Sequence, residues 1–531
     1  MSKFTYKDAT SHQRLSSQVK LIVSSEHHLN DIMVYTDFSS AVDQFICGLA
    51  FLPTYASMDN LLRTAFTAEG EIRRLFAVNP HSRLLQNLFL GLVDVFSIDP
   101  ALRRTRAREI VTDYDLSRNY IFPLDTPFRR PNLTPSTVPD INTFKENWDL
   151  FTHGTLSKMT AYDWQNVLAA GGSVLACLSP PQPAIPAKAL NELYQSKTYA
   201  TSDIDLFLWG LSPEEAKVKM ERVYQAVCDA APWNVTCVRK ANVISIHTTY
   251  PRRPIQIFLR LYQSPAEILA GFDVDVTCCA FDGKNVWVNP RSLAALIRQA
   301  NTIDIARRSP SYELRLAKYA ERCYEIYLPS LNRLQVDPLV YAPGRQIWPQ
   351  GLARLLALEY SYYAPHHYIC LTYPERHVMK KIPRSKLKNR NPRSSPSGSH
   401  YDYSLMHAQI PYGPLWDAAA INKLISNTDA LLNCERVPPS CSHLPKSIRL
   451  AWYEDHHLPH RHVFFAGDMQ QCLGLFCPAC TDPGWEYFDR NLYIRGPAQF
   501  MVKNPDPQLA TAGFDAIEIG DWASEAYVPP N

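Results

Sequence analysis

Glycine, net charge and long apolar runs are all scarce in this sequence. Glycine occurs 19 times in 531 residues against 41 prolines. That balance argues against flexible Gly-rich linkers and for stiff, extended connections. Basic residues number 54 and acidic ones 51, a net charge of +3. The chain as a whole is therefore not the strongly basic body that announces a nucleic-acid binder. No run reaches the roughly 18 apolar residues needed to cross a bilayer, so no membrane partner is expected. Met1-Ser2-Lys3-Phe4-Thr5 lacks the apolar core of a secretory leader. No Gly-x-x-x-x-Gly-Lys-Ser/Thr loop and no Gly-x-Ser-x-Gly elbow occurs, which argues against a P-loop NTPase and an α/β-hydrolase. Thirteen cysteines are present, an odd number, several inside apolar runs such as Thr277-Cys278-Cys279-Ala280. Buried reduced thiols are the simplest reading, and they fit a soluble protein of the cytoplasm or nucleus.

What remains is an ordinary globular composition, 46% apolar and 20% charged, with room for several domains. Residues 1–150 read as mostly helical. Leu61, Leu62, Phe66, Ile72, Leu75 and Phe76 share a helical face, Gln86 to Phe96 reads as further helix, and Arg103 to Arg108 reads as a basic helical turn facing solvent. Pro123 to Pro139 reads as extended. Residues 151–330 alternate helix and strand. Met159 to Ala170 reads as a helix stopped by Gly171-Gly172. Strands are expected at 204–209, 233–238, 243–248, 255–261, 272–281 and 286–288. Helices are expected at 213–230, 264–270, 292–299 and 312–327. Residues 331–531 read as helical and irregular, with a helix at 349–363. The expected class is α+β: a mixed-sheet core between a helical N-terminal region and a helical or irregular C-terminal one.

The chemistry-bearing segment is Thr201-Ser202-Asp203-Ile204-Asp205-Leu206-Phe207-Leu208. Side chains in a strand alternate faces, so Asp203 and Asp205 point one way, roughly 7 Å apart, while Ile204 and Leu206 point into packing. Two such carboxylates can share Mg²⁺ or Mn²⁺ with substrate phosphates. They can equally be two solvated acids at a strand end. Upstream lies Leu168-Ala169-Ala170-Gly171-Gly172-Ser173. Paired glycines admit a polyphosphate close to the backbone, and the serine hydroxyl can help hold it. A helix C-cap is the plainer explanation of those glycines.

Together these segments resemble the DNA polymerase beta-like nucleotidyltransferase superfamily, whose pattern is an apolar residue, Gly, Gly or Ser, then an Asp-apolar-Asp strand, then a third acid on a neighbouring strand. More narrowly, Ser202 to Leu211, Ile255-Gln256-Ile257, Ser264 to Asp275, Ser309 to Tyr319, and Asp521 to Tyr527 resemble an uncharacterised nucleotidyltransferase-like family found mainly in fungi and some large DNA viruses. The resemblance implies a nucleotidyltransferase-like core and metal-dependent transfer of a nucleotidyl group from a nucleoside triphosphate to a hydroxyl on RNA, protein or a small molecule. It implies Asp203, Asp205 and a third acid as metal ligands, with Gly171, Gly172, Ser173, Ser202 and Arg260 around the nucleotide. Two departures stand out. Gly172 and Asp203 are 31 positions apart, longer than is usual there. Gln256 occupies the strand expected to carry the third acid. Asp275 or Asp273, in Phe272-Asp273-Val274-Asp275-Val276, is the expected replacement. The alternative is a degenerate fold that binds nucleotide, nucleic acid or protein without turnover. Arg252, Arg253, Arg291, Arg307, Arg308, Arg315 and Lys318 are further cations in reach of phosphate by sequence position. Arg260 has a second reading, as a salt bridge to Asp273 or Glu267.

Two other segments draw notice. Residues 376–400 carry Lys380, Lys381, Arg384, Lys386, Lys388, Arg390 and Arg393 and no acid. The composition predicts a disordered loop, which reads as a plain solvated linker, as a nuclear import signal or, through 376–393, as a contact for RNA phosphates. His456, His457, His460 and His462 precede Cys477-Pro478-Ala479-Cys480. A polar loop followed by core thiols is preferred to a structural zinc site, which Cys472 could also join, because the order and spacing match no zinc finger.

Overall fold

Alternation of large apolar residues with other types drives the central strands into a sheet with one wholly apolar face. In the computed structural model, the described residues are 38–53, 56–181, 189–199, 202–231, 234–309, 311–333, 336, 338–341, 351–363, 410–434, 464–474, 494 and 497–502. The strands are β1 (Val93–Asp94), β2 (Tyr120–Ile121), β3 (Val167–Ala170), β4 (Ile204–Trp209), β5 (Thr236–Arg239), β6 (Val243–His247), β7 (Ile255–Tyr262), β8 (Cys279–Phe281), β9 (Val286–Val288), β10 (Ala300–Thr302), β11 (Glu325–Tyr327) and β12 (Phe465–Gly467). Nine of them form one mixed sheet in the order β1-β9-β8-β3-β4-β7-β6-β5-β12, and β10-β11-β2 form a small second sheet. The β4–β7 pair is parallel, and its neighbours in the large sheet run antiparallel. With the helices, this makes the molecule α+β.

The helices used below are α1 (Phe38–Phe51), α2 (Asp59–Val78), α3 (Ile141–Thr152), α4 (Gly172–Leu178), α5 (Pro213–Ala230), α6 (Pro265–Ala270), α7 (Pro290–Arg298), α8 (Tyr312–Ala320) and α9 (Gly351–Tyr363). Helix α5 starts with a reciprocal cap: Ser212 accepts from the Glu215 N–H, and the Glu215 carboxylate accepts from the Ser212 N–H. Its Met220, Val223 and Val227 belong to the same buried core as Ile204, Leu206 and Leu208 of β4 and Ile255, Ile257, Leu259 and Leu261 of β7. The opposite sheet face carries Asp205 and Phe207 from β4, Gln256 and Phe258 from β7, and Ser245 and His247 from β6. The rings of Phe207 and Phe258 stack there, 4.8 Å apart, and α6 contributes Ile268 and Leu269 beside Phe207 and Tyr262.

Several sequence expectations need correction. Residues 159–170 are not a helix: turns lead to β3, and Gly172 begins α4 instead of ending a helix. The run 167–170 is apolar throughout and buried on both sides, so it carries neither helical nor alternating period and is ambiguous by pattern alone. Residues 272–281 are not one strand, because Asp275–Thr277 is a 3₁₀ turn and only Cys279–Phe281 pairs. Residues 86–96 hold turns, β1 and 3₁₀ segments. The helix begun at Tyr312 stops at Ala320, and β11 follows. The segment 103–108 is not helical, and of its arginines Arg104 alone is exposed: Arg103 bonds Thr137 at 2.5 Å, Arg106 reaches the Leu49 and Leu52 carbonyls, and Arg108 pairs with Glu325 at 2.9 Å. The basic stretch 376–400, the histidines at 456–462 and the 477–480 cysteines lie outside the described residues. Cys472 is a buried free thiol. Among the described residues, no helix is long and apolar enough to cross a membrane.

Candidate functional site

Register assembles the site. Strand β3 runs antiparallel to β4 with Ala170 opposite Asp205. The Gly171 turn that follows Ala170 therefore lies beside the start of β4, and the 31 positions from Gly172 to Asp203 close a loop back to it. Gly171 sits at φ +86°, ψ −139°, a region essentially reserved for glycine. A Cβ there would also stand 3.2 Å from the Phe272 ring. A Cβ on Gly172 would meet the Tyr319 hydroxyl at 2.7 Å and Nη1 of Arg322 at 3.3 Å. Both glycines thus serve close approach: Gly171 to Phe272, Gly172 to the end of α8.

Strand β7 lies parallel to β4 with Gln256 opposite Asp205. Gln256 donates its side-chain N–H to Oδ2 of Asp203. The residue at the expected third-acid position is thus a hydrogen-bond partner of the first acid. Asp205 accepts no hydrogen bond among the described residues. Burial, then the charge of Asp203, pushes its carboxyl well above the ordinary range, opposed by Lys318 and Arg315. Burial likewise pulls Lys318 below the usual lysine range, helped by Arg322 and resisted by Asp203 and Asp205. A divalent cation fits this pair, since it would neutralise two adjacent, half-buried carboxylates that lack enough hydrogen bonds. Among the described residues, no group of three or more His, Cys, Asp or Glu side chains is placed to hold a metal. A cation here would rely on two protein carboxylates and on ligand oxygens.

Across from the acids stand Arg315 and Lys318 of α8 and Arg322 just beyond it, three and four residues apart and so on one side of the helix. Arg322 is buried, with its guanidinium 4.4 Å from the Tyr199 ring centroid. One nitrogen donates to the Thr198 carbonyl and the Ser202 hydroxyl, while Nε and Nη1 have no partner. The Ser173 hydroxyl is also buried without a partner, as is Nε of Arg315. Buried polar groups are nearly always satisfied, so three such groups around one glycine turn and one acid pair mark a place for an anionic ligand or ordered water.

The remaining sequence candidates divide. Asp273 is at the margin of the site, bonded to Arg315. Asp275 is engaged elsewhere: its oxygens accept from Arg291 at 2.9 Å and from the Thr302 N–H at 2.7 Å. Ser202 is beside Asp203, with its hydroxyl on Arg322. Arg260 points along the same sheet face as Gln256 but pairs with Glu267 at 3.2 Å, the second of its two readings. Arg253 is buried among the carbonyls of Phe151, Tyr194, Tyr199 and Ser202. Arg307 pairs with Glu69 and Arg308 with Glu313. Sequence reading misses Arg322 and Tyr319. The signal for Arg322 is present, because 315, 318 and 322 are spaced as one helical face.

Residues 142–299 match the model of a family described as Gabija anti-defense 2 family protein. The matched stretch runs from α3 past the end of α7, holds the glycine turn, Asp203, Asp205 and Gln256, and ends before α8. An uncharacterized protein, R883, of Acanthamoeba polyphaga mimivirus is 29% identical over 239 residues, 42% of this chain and 47% of the relative. The chain thus spans about half the length of that curated relative. No solved structure matches.

Proposed function

We propose that the protein has a nucleotidyltransferase-like core and moves a nucleotidyl group from a nucleoside triphosphate to a hydroxyl acceptor on RNA, protein or a small molecule. The observation that carries this reading is the convergence of Asp203 and Asp205 with the Gly171-Gly172-Ser173 turn, two segments far apart in sequence that strand register sets side by side. Ser173 and the cations of α8 hold the β- and γ-phosphates. Mg²⁺ or Mn²⁺ bound by Asp203 and Asp205 would supply charge neutralisation at the α-phosphate and at the attacking oxygen. In the reaction the acceptor oxygen bonds to the α-phosphorus, the bond to the bridging oxygen breaks, pyrophosphate leaves, and the hydroxyl proton passes to solvent. Asp275 contributes by bracing the fold, and Asp273 by holding Arg315.

Gln256 favours a second reading. With no third carboxylate on β7, the site binds nucleotide and its partner without turnover. The description of the matching family names a biological setting, anti-defence, and not a reaction. That setting extends to this chain as a proposal through the shared stretch alone.

The test is incubation of the full chain with α-labelled nucleoside triphosphates, Mg²⁺ or Mn²⁺ and total RNA, beside Asp203→Ala/Asp205→Ala. Transfer in the wild type that the double variant loses is expected. Transfer that survives the double change excludes this site, and nucleotide binding with no transfer selects the second reading.

A further inference from the structure

Asp203 has two sides. One faces α8 and its cations. The other, with Ser202, lines a cavity of about 160 Å³, bounded by β6, β7 and the segment Ile410-Pro411-Tyr412. This volume is below the roughly 300–1,000 Å³ of pockets that enclose a whole ligand, so the cavity suits one ring-sized part of a larger molecule. Its two walls differ. Pro254, Ile410, Pro411 and the Tyr412 ring give an apolar side, while Ser245, His247 and Gln256 give a polar one.

The polar wall is ordered by its own hydrogen bonds. Ser245 lies opposite Gln256 in the ladder. Its hydroxyl lies 3.2 Å from the Val238 carbonyl and 2.8 Å from Nε2 of His247, so Ser245 and the imidazole fix each other in place. Burial, then the charge of Lys240, keeps the ring neutral, with its pKa lowered to about 3. Gln256 spends its N–H on Asp203, which leaves its carbonyl oxygen as an acceptor. Lys240 lines the same cavity. Tyr412 is fixed by its hydroxyl on the Pro251 carbonyl at 2.6 Å and by packing against Tyr250 at 5.3 Å.

A lining that joins an aromatic ring and apolar side chains to fixed polar groups is the chemistry that receives a nucleobase: stacking on the ring and hydrogen bonds to the base edge. We propose that this cavity binds the base of the acceptor, so that the hydroxyl receiving the nucleotidyl group belongs to a nucleoside, either free or at the end of an RNA strand. The proposal rests on the transferase reading for the word acceptor, but the binding site itself does not. It narrows the acceptor from RNA, protein or small molecule to one class.

The test is equilibrium dialysis of the full chain, without triphosphate or metal, against labelled adenosine, guanosine, cytidine and uridine and against a labelled single-stranded RNA hexamer. Saturable binding of at least one nucleoside or of the hexamer is expected. Tyr412→Ala should weaken it by about tenfold, and Tyr412→Phe, which keeps the ring, should retain it and so control for folding. Binding of nucleosides alone identifies a free nucleoside acceptor, and much tighter binding of the hexamer identifies an RNA end. The proposal is overturned if no probe binds or if Tyr412→Ala binds as wild type does. Nucleoside binding in a protein that never transfers label would end the transferase reading and keep the cavity. Label transfer with no nucleoside or hexamer binding would do the reverse.

Discussion

Among the described residues, two clusters of buried charge are built differently. In the first, Arg291 pairs with Glu69 at 3.0 Å and with Asp275 at 2.9 Å, and Arg307 adds a second contact to Glu69 at 2.9 Å. The Asn289 amide donates to Glu69, and the Thr302 N–H donates to Asp275. Although burial works against it, the Glu69 carboxyl is held below its usual range by Arg291 and Arg307. In the second cluster, the Asp205 carboxylate accepts no hydrogen bond among the described residues, and Ser173, Arg315 and Arg322 keep buried atoms without partners. Both clusters mix acids and arginines. The first is complete within the chain and ties α2 to α7. The second is complete only with something added. Removing a residue from the first should therefore cost stability, and removing one from the second should cost ligand binding.

The sharpest way to break this contrast is Asp205→Asn. Transfer should fall by about a thousandfold or more, the loss of several kcal/mol of charge stabilisation. The metal-free variant should nonetheless melt no lower than wild type. A raised folded-state pKa means that stability is lost as pH rises through it, so any advantage of Asn should grow above the ordinary carboxylate range. Thermal melts across pH check this, and a variant that unfolds at neutral pH would place Asp205 with the structural cluster. Next, Arg291→Ala should destabilise the protein by about 3–5 kcal/mol, because buried Asp275 loses its ion pair and buried Glu69 loses one of its two arginines. Urea unfolding measures it, and a loss under about 1 kcal/mol would erase the difference between the clusters. Ser173→Ala removes a hydroxyl that has no partner among the described residues. Its melting temperature should hold while triphosphate affinity drops by about tenfold in a titration. The last effect is set by pH and concerns His247. Its folded-state pKa is depressed to about 3, so the stability it contributes is present above about 6.5 and is lost as pH falls, at up to about 1.4 kcal/mol per pH unit. A His247→Gln variant should lack that part of the acid slope in denaturant titrations.

Legibility in the sequence follows the strength of local signals. The Asp203/Asp205 strand and α5 carry alternating and helical periods respectively, and both are where pattern places them. The glycine pair is visible in the sequence, but pattern sets it on the wrong kind of element, because a fully buried run such as Val167–Ala170 has no diagnostic period. Its proximity to Asp205 is a matter of register between strands, which sequence spacing does not state. Asp273 and Asp275 look equivalent as long as they sit on one strand. The 3₁₀ turn at Asp275 sends them to different partners. The arginines are the hardest to sort, since Arg253, Arg260 and Arg291 are buried structural groups while Arg322 has unpaired donors. Composition is the same in both cases, and only tertiary partners separate them.

The contrast between a closed charge cluster and an open one is tested most directly by calorimetric titration of inorganic tripolyphosphate into the full chain with and without Mg²⁺, repeated on Asp203→Asn/Asp205→Asn. One site is predicted in the wild type, requiring Mg²⁺ and absent from the variant. Equal binding by both proteins, or none by the wild type, would contradict it.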